Sequence, residues 1–146
     1  MTSDDSTTRA SNTDQATARS GPLAGVRILD LTSVVMGPFA TQILAALGAE
    51  VIKLESPEGD NMRHIGPMNH PGMGHMYLHA NRGKRSLVLD LKQPEARKAA
   101  LQLAAQCDVL ISNVRPMAMA RLGLDYESVR AVNPRIIHVA CCGFGQ

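Results

Sequence analysis

The chain has very few aromatic side chains. Its 146 residues include two Tyr, two Phe and no Trp. Single-stranded nucleic acids are usually bound by stacking bases on aromatic rings, and a formal net charge of +2 is small for a protein that binds a polyanion. We therefore expect no nucleic-acid partner. The core has to be built from aliphatic side chains and from some of the eight Met.

Long apolar runs and a cysteine framework are also missing. Residues 1–21 are rich in Ser, Thr, Asp and Ala, and nothing in them resembles a signal peptide or a membrane span. We predict a disordered tail over residues 1–21 and no membrane partner. Cys107, Cys141 and Cys142 adjoin apolar, strand-like sequence. Buried, reduced thiols and a cytoplasmic location are the expectation.

The segment after the tail has the pattern of a β-α-β unit. Two short apolar runs rich in β-branched residues, 26–31 and 49–55, flank a stretch with helical periodicity. The apolar residues of that periodicity are Phe39, Ile43, Leu44 and Leu47. Pro38 falls in the first helical turn and Gly48 at the C-cap. Ligands bind at the carboxyl ends of strands in open α/β sheets, so the loop 32–37 is the first candidate site.

Strands and helices continue to alternate in the rest of the chain. The predicted strands are 86–91, 108–112 and 135–140, and the predicted helices are 94–106, 116–122 and 126–132. This alternation predicts an α/β, Rossmann-like fold with a mainly parallel sheet, formed by one domain over residues 22–146. Residues 56–84 contain many Gly, Pro and His without a sustained period, which favours a long functional loop.

Several polar residues have two interpretations. Asp30 and Asp90 lie in predicted strands near the expected crevice, where each is either a nucleophile or, as we expect, a partner of loop amides. Three cations, Arg82, Lys84 and Arg85, are read as turn and edge charges, with phosphate contact as the alternative. Three histidines have a spacing that a metal site could use, but no acid or cysteine with ligand spacing accompanies them, and we expect no metal: His70, His75 and His79.

A series of motifs resembles the opening of the class III coenzyme A (CoA) transferases. That family includes formyl-CoA:oxalate and carnitine-related CoA-transferases and the 2-methylacyl-CoA racemases. The resemblance extends over residues 22–146. The motifs are Gly25–Thr32, Gly37-Pro38, Leu47–Glu55, Asn81–Ser86, Leu89–Lys92 and Gly143–Gln146.

The resemblance implies the CoA-binding, amino-terminal half of an interlocked homodimer. Its substrates are an acyl-CoA and a free carboxylic acid, without a permanently bound cofactor. In the family an aspartate attacks the thioester to give a mixed anhydride and then an aspartyl-CoA thioester, from which the acceptor acid takes CoA. That aspartate follows the motif Gly143–Gln146 in the family. We therefore expect an amino-terminal fragment that ends before its nucleophile and contains no catalytic residue.

The same resemblance places CoA contacts in the loops that follow the strands. The positions are Val34, Val35, Leu89, Asp90, Leu91, Lys92, Asn113, Val114, Arg115, Arg121, Cys142, Gly143, Phe144 and Gly145. Lys92 and Arg121 suit the phosphates of CoA, Arg being the better bidentate partner. Backbone amides in the turns at Asn113 and Gly143 suit the pantetheine chain or a developing oxyanion.

Three positions depart from the formyl-CoA transferase pattern. That enzyme has a glutamine in place of Val35 and basic residues in place of Ser56 and Cys142. The acyl group of this protein is therefore left open. A 2-methylacyl-CoA racemase and a catalytically inactive CoA-binding module remain as alternatives to the transferase.

Overall fold

The computed structural model describes residues 20–143, in which strands and helices alternate. The strands are β1 (Arg27–Leu31), β2 (Glu50–Glu55), β3 (Arg85–Val88), β4 (Val109–Ser112) and β5 (Ile137–Ala140). The helices are α1 (Met36–Ala46), α2 (His75–Ala80), α3 (Pro94–Ala104), α4 (Pro116–Leu122) and α5 (Tyr126–Val132), with a 3-10 turn at Asn61–His64. Most of the predicted tail, residues 1–19, lies outside the described residues.

The five strands form one parallel sheet in the order β3-β2-β1-β4-β5. Leu29 at the centre of β1 lies opposite Ile52 of β2 and Leu110 of β4. The chain moves outward from β1 to β2 and β3 and then returns to place β4 on the other side of β1, which makes the β1–β4 boundary the topological switch point. The predicted α/β fold with a mainly parallel sheet is confirmed.

The central strands β1, β2 and β4 are buried on both faces of the sheet. On one face Leu29 and Leu110 pack with Ala100 of α3, Met119 of α4 and Val129 of α5. On the other face the core is smaller and is formed by strand residues and the end of α1: Ile28, Ala45, Ala49, Val51 and Ile111. Because successive strand residues point to opposite faces, strands covered on both sides appear as continuous apolar runs. None of the helices between residues 20 and 143 is long and apolar enough to cross a membrane.

Helix α1 forms where predicted but buries a different face. The side chains of Phe39, Ile43 and Leu47 are 44%, 44% and 41% exposed, and only Leu44 of the predicted stripe packs against the core. The buried residues of α1 are Gly37, Pro38, Thr41, Gln42 and Ala45. A Cβ atom at Gly37 would lie 2.5 Å from Cβ of Thr32. The first turn therefore packs too closely on the end of β1 for a larger side chain.

Two further predictions need correction. Residues 56–84 are not one irregular loop, because they contain the 3-10 turn and α2, whose buried residues are Tyr77 and Ala80. These elements are too short to produce a helical period in the sequence. Strand β3 ends at Val88 rather than at Leu91. The carboxylate of Asp90 accepts hydrogen bonds from the Lys92 amide and the Gln93 side chain, which turns the chain toward α3.

Candidate functional site

Two cavities lie side by side at the carboxyl ends of the strands. The smaller, of about 290 Å³, lies at the switch point, and the following residues are among those that line it: Thr32, Ser33, Lys53, Asp60, Leu91, Val114 and Leu122. The larger, of about 670 Å³, lies at the ends of β4 and β5, with a lining that includes Ser112, Val114, Met119, Tyr126, His138 and Cys142. Val114 lines both cavities. The crevice is therefore where an open α/β sheet is expected to bind a ligand.

The loop between β1 and α1 has an unusual backbone at the edge of this crevice. Val34 has φ of +75°, the only positive φ at a non-glycine residue between residues 20 and 143. A β-branched residue is strongly disfavoured in that region, and such strain is concentrated at functional sites. The Val34 side chain is 47% exposed. The adjoining Val35 carbonyl accepts the first hydrogen bond of α1 from Phe39.

A buried ion pair is hydrogen-bonded to the backbone of the loop between β1 and α1. Lys53 Nζ donates to the Thr32 carbonyl at 2.7 Å and to Asp60 Oδ2 at 3.0 Å. Both side chains of the pair are 1% exposed. The other oxygen of Asp60 accepts from the amides of Val34 and Met62. Charges this deeply buried are stable only when every donor and acceptor is matched, so the pair fixes the floor of the smaller cavity.

Asp30 has the structural role that we expected. Its Oδ1 accepts from the amide and the hydroxyl of Thr32, and its Oδ2 accepts from the hydroxyl of Thr41 at 2.6 Å. Lys84 Nζ completes the arrangement, 2.9 Å from Asp30 Oδ2. The interpretation of Lys84 as a surface cation was wrong, because its side chain is 2% exposed. Burial lowers the pKa of Lys84, although the charge of Asp30 acts to raise it.

Glu55 links the end of β2 to the segment that carries α2. Its carboxylate accepts from Arg63, from the hydroxyl of Tyr77 and from the Asp60 amide. Burial raises the pKa of Glu55, but these hydrogen bonds outweigh burial and hold the pKa to about 2. The guanidinium of Arg63 also lies over the Tyr77 ring, 3.8 Å from its centroid. Burial and the bond to Glu55 raise the pKa of the Tyr77 phenol.

The predicted CoA contacts differ in where the structure places them. Leu91, Val114 and Cys142 line the crevice, and Val34 is exposed at its edge. The exposed cations take part in no ion pair between residues 20 and 143: Lys92, Arg115 and Arg121. Val35, Leu89 and Asp90 are half-buried, and Gly143 is exposed. Phe144 and Gly145 lie outside the described residues.

The side-chain amide of Asn113 is already hydrogen-bonded within the protein. Its side chain is bonded to the backbone of Ser33, accepting from the amide at 3.0 Å and donating to the carbonyl at 2.8 Å. The carboxylate of Asp90 is likewise engaged, and the hydrogen bond from the Lys92 amide is the main cause that lowers its pKa. Both residues shape the loops around the crevice.

Sequence reasoning missed the pair formed by Lys53 and Asp60. A signal was present, because Lys53 lies in the middle of the apolar run of β2 and a buried lysine requires an acidic partner. The position of that partner could not be read from the sequence. Asp60 follows the strand within a segment that has no periodic pattern.

The cysteines differ from the expectation that all are buried. Cys107 is buried, and burial raises its pKa to about 11. Cys141 and Cys142, at the carboxyl end of β5, are exposed. The strand is an edge of the sheet, so the residues that follow it have little to pack against. All three are free thiols.

Comparisons with known proteins agree with this geometry. The family model described as CoA-transferase family III matches residues 23–146. The succinate–glutarate CoA-transferase of Agrobacterium fabrum is 45% identical over 135 residues, which cover 88% of this chain and 34% of that protein. The acetyl-CoA:oxalate CoA-transferase of Acetobacter aceti is 45% identical over 86% of this chain and 32% of its own length.

Solved structures show the same similarity. The crystal structure of Rv3272 from Mycobacterium tuberculosis superposes with a TM-score of 0.81 at 40% identity, covering 87% of this chain and 36% of that one. A CAIB/BAIF family protein from Brucella suis gives 0.77 at 41% identity, with 85% and 33% covered. The chain thus spans about a third of the length of these relatives. Since the family model accounts for residues 23–146, the chain belongs to CoA-transferase family III.

Proposed function

We propose that the protein takes part in the transfer of CoA from an acyl-CoA to a free carboxylic acid, and that this chain supplies the CoA-binding half. The observation that carries the proposal is the crevice at the switch point. The strained loop at Val34 and the side chains of Leu91 and Val114 meet there, each following a different strand. Exposed cations on nearby segments, Lys92 and Arg121, are available to the phosphates of CoA.

The carboxylates that line the smaller cavity are poor nucleophiles. Asp60 is bonded to Lys53 and to two backbone amides, and Glu55 is bonded to Arg63 and Tyr77. We propose that the nucleophile is an aspartate beyond Gln146. Its carboxylate attacks the thioester and displaces CoA thiolate, leaving a mixed anhydride. The thiolate then attacks the aspartyl carbonyl of the anhydride, which releases the donor acid as its carboxylate and forms the aspartyl-CoA thioester. The acceptor carboxylate attacks this thioester and displaces CoA thiolate, giving a second anhydride. The thiolate attacks the acceptor's carbonyl in that anhydride, which forms the new acyl-CoA and frees the aspartate carboxylate.

A homodimer is part of the proposal. The outward face of α1 presents Phe39, Ile43 and Leu47, and Leu78 of α2 is also exposed. Contiguous exposed apolar side chains usually mark a surface that is covered in the assembled protein. We propose that the rest of the subunit and a second subunit cover this face. A cytoplasmic location remains a prediction, supported by thiols that form no disulfide.

The test of CoA binding is a calorimetric titration of the chain with CoA. The wild-type chain is expected to bind, and Arg121→Ala is expected to weaken binding about fivefold, because an exposed charge pair contributes up to about 1 kcal/mol. Arg135→Ala is the matched control. Arg135 is an exposed arginine that precedes β5, so it lies near the amino-terminal ends of the strands, away from the crevice. No binding by the wild-type chain would contradict the proposal. Equal losses in the two variants would remove the phosphate role of Arg121.

A CoA-binding module without transferase activity is the second candidate, favoured by the engaged carboxylates of Asp60 and Glu55. An assay with succinyl-CoA and a panel of carboxylic acids separates the candidates when it is run on a longer protein that includes the proposed aspartate. Formation of a new acyl-CoA by that protein supports transfer, whereas CoA binding without turnover supports the module. Turnover by the 146-residue chain itself would contradict the placement of the nucleophile beyond Gln146. Proton exchange at C2 of a 2-methylacyl-CoA without any acceptor acid would indicate the racemase.

A further inference from the structure

We propose that Asn113 is a positioning residue for CoA, acting through the backbone of Ser33 and Val34. Its side-chain amide holds the loop after β1 in the conformation that binds CoA. The amide itself does not contact CoA. This inference rests on the proposed function, because the ligand it concerns is CoA. It differs from the direct contact that the family resemblance implies for Asn113.

The Asn113 side-chain amide bridges two loops of the crevice. Its two ends are bonded to the two backbone groups of one residue, the Ser33 amide at 3.0 Å and the Ser33 carbonyl at 2.8 Å. Asn113 follows β4 and Ser33 follows β1, and these strands are neighbours at the switch point. The side chain thus ties together the two loops between which the ligand is expected.

The backbone groups of Thr32 and Val34, on either side of Ser33, are held in the same manner. Asp30 accepts from the Thr32 amide, Lys53 donates to the Thr32 carbonyl, and Asp60 accepts from the Val34 amide. Backbone groups of the three consecutive residues 32–34 are therefore fixed by four side chains, which are those of Asp30, Lys53, Asp60 and Asn113. A strained residue such as Val34 persists only where its surroundings determine it in this way. The arrangement makes the loop rigid before the ligand arrives.

The side chains that hold the loop differ in how deeply they are buried. Asp30, Lys53 and Asp60 are fully buried, so a change at any of them disrupts the core. Asn113 is only half-buried at the rim, where water can replace its amide. Its loss should loosen the loop while the sheet stays intact. A loop that must become ordered on binding lowers affinity, because its entropy is lost at that step.

The experiment compares Asn113→Ala with a matched control, Asn133→Ala. Asn133 also donates its amide to backbone carbonyls, those of Ala104 and Cys107, but at the amino-terminal edge of the sheet. Two quantities are measured: hydrogen exchange of the Ser33 amide by NMR in the CoA-free protein, and Kd for CoA. Asn113→Asp is a second variant, because it keeps the acceptor for the Ser33 amide and loses the donor to the carbonyl.

We expect Asn113→Ala to accelerate Ser33 exchange about fivefold and to raise Kd for CoA about tenfold. Asn113→Asp should give Ser33 exchange between wild type and the alanine variant. Asn133→Ala should lower thermal stability and change neither quantity. Weaker CoA binding with unchanged Ser33 exchange would overturn the inference in favour of direct contact. Faster exchange with unchanged Kd would also overturn it, since the bond would then be structural only.

Failure of the proposed function has a different signature. If the wild-type chain does not bind CoA, both proposals are overturned, whatever the Ser33 amide does. If the wild-type chain binds CoA and Asn113→Ala binds equally well, only the positioning role is lost.

Discussion

The buried pair of Lys84 and Asp30 permits a quantitative prediction for Lys84→Met. The two side chains are 2% and 0% exposed, and Nζ lies 2.9 Å from Oδ2. The lysine also donates to the Pro38 carbonyl and to Asn81 Oδ1. Methionine removes the cation while keeping most of the side-chain volume. The carboxylate of Asp30 is then left in the core with neutral donors alone.

The magnitude follows from what Asp30 retains. Removal of one partner of a buried pair costs about 3–5 kcal/mol, and the donors on Thr32 and Thr41 place this case near 3 kcal/mol. Burial lowers the pKa of Lys84 despite the nearby carboxylate, so desolvation offsets the attraction within the pair. Removing both charges should therefore be less harmful than removing one. We expect Asp30→Asn/Lys84→Met to lose about 1.5 kcal/mol.

The assay is urea unfolding followed by circular dichroism at pH 7. Lys98→Met is the control, because Lys98 is an exposed residue of α3, and a change below about 0.5 kcal/mol is expected for it. A loss of stability below about 1 kcal/mol for Lys84→Met would contradict the predicted loss of about 3 kcal/mol. So would a double variant that is less stable than Lys84→Met.

Two further predictions concern titratable groups. The pKa of Glu55 is held to about 2, well below its ordinary value, so its stabilisation is present above about pH 4.5 and is lost as pH falls toward 2. The unfolding free energy of wild type should fall between pH 6 and pH 2, and in Glu55→Gln this fall should be about 3 kcal/mol smaller. A variant whose unfolding free energy falls as much as that of wild type would contradict this. For the thiols, an aromatic disulfide reagent should modify Cys141 and Cys142 rapidly and Cys107 only in urea, because Cys107 is 3% exposed and burial raises its pKa to about 11. Rapid modification that persists in Cys141→Ser/Cys142→Ser would show that Cys107 is accessible.

The periodicity of the sequence was sufficient to predict the sheet. Strands buried on both faces give short apolar runs. Of the helices between them, α3 and α4 begin at Pro94 and Pro116, and α4 ends at Gly123. The orientation of α1 could not be predicted in this way. Its apolar side chains form a regular stripe, but the close approach at Gly37 turns the small residues toward the sheet. The stripe indicates a surface to be covered rather than the core of this domain.

The site was predictable in its position and not in its internal contacts. Val114 lies in the crevice because the end of β4 was located correctly, whereas Leu91 was named from the family resemblance and follows a strand that ends earlier than predicted. The contact between Asp30 and Lys84 was missed because the two residues are separated by 54 positions. Hydrogen bonds between such residues depend on the strand order, which periodicity does not determine. The bonds between Asn113 and Ser33 were not predicted, because they join residues that are 80 positions apart in the sequence.

The central claim is that CoA binds in the crevice at the switch point. The most direct test is an NMR titration of the isotope-labelled chain with CoA, following backbone amides by residue. We predict saturable shifts at Ser33, Val34, Leu91 and Val114, with no shift at Asn133, which lies near the amino-terminal ends of the strands. Absence of shifts at saturating CoA, or shifts centred on the amino-terminal ends of the strands, would contradict CoA binding in the crevice.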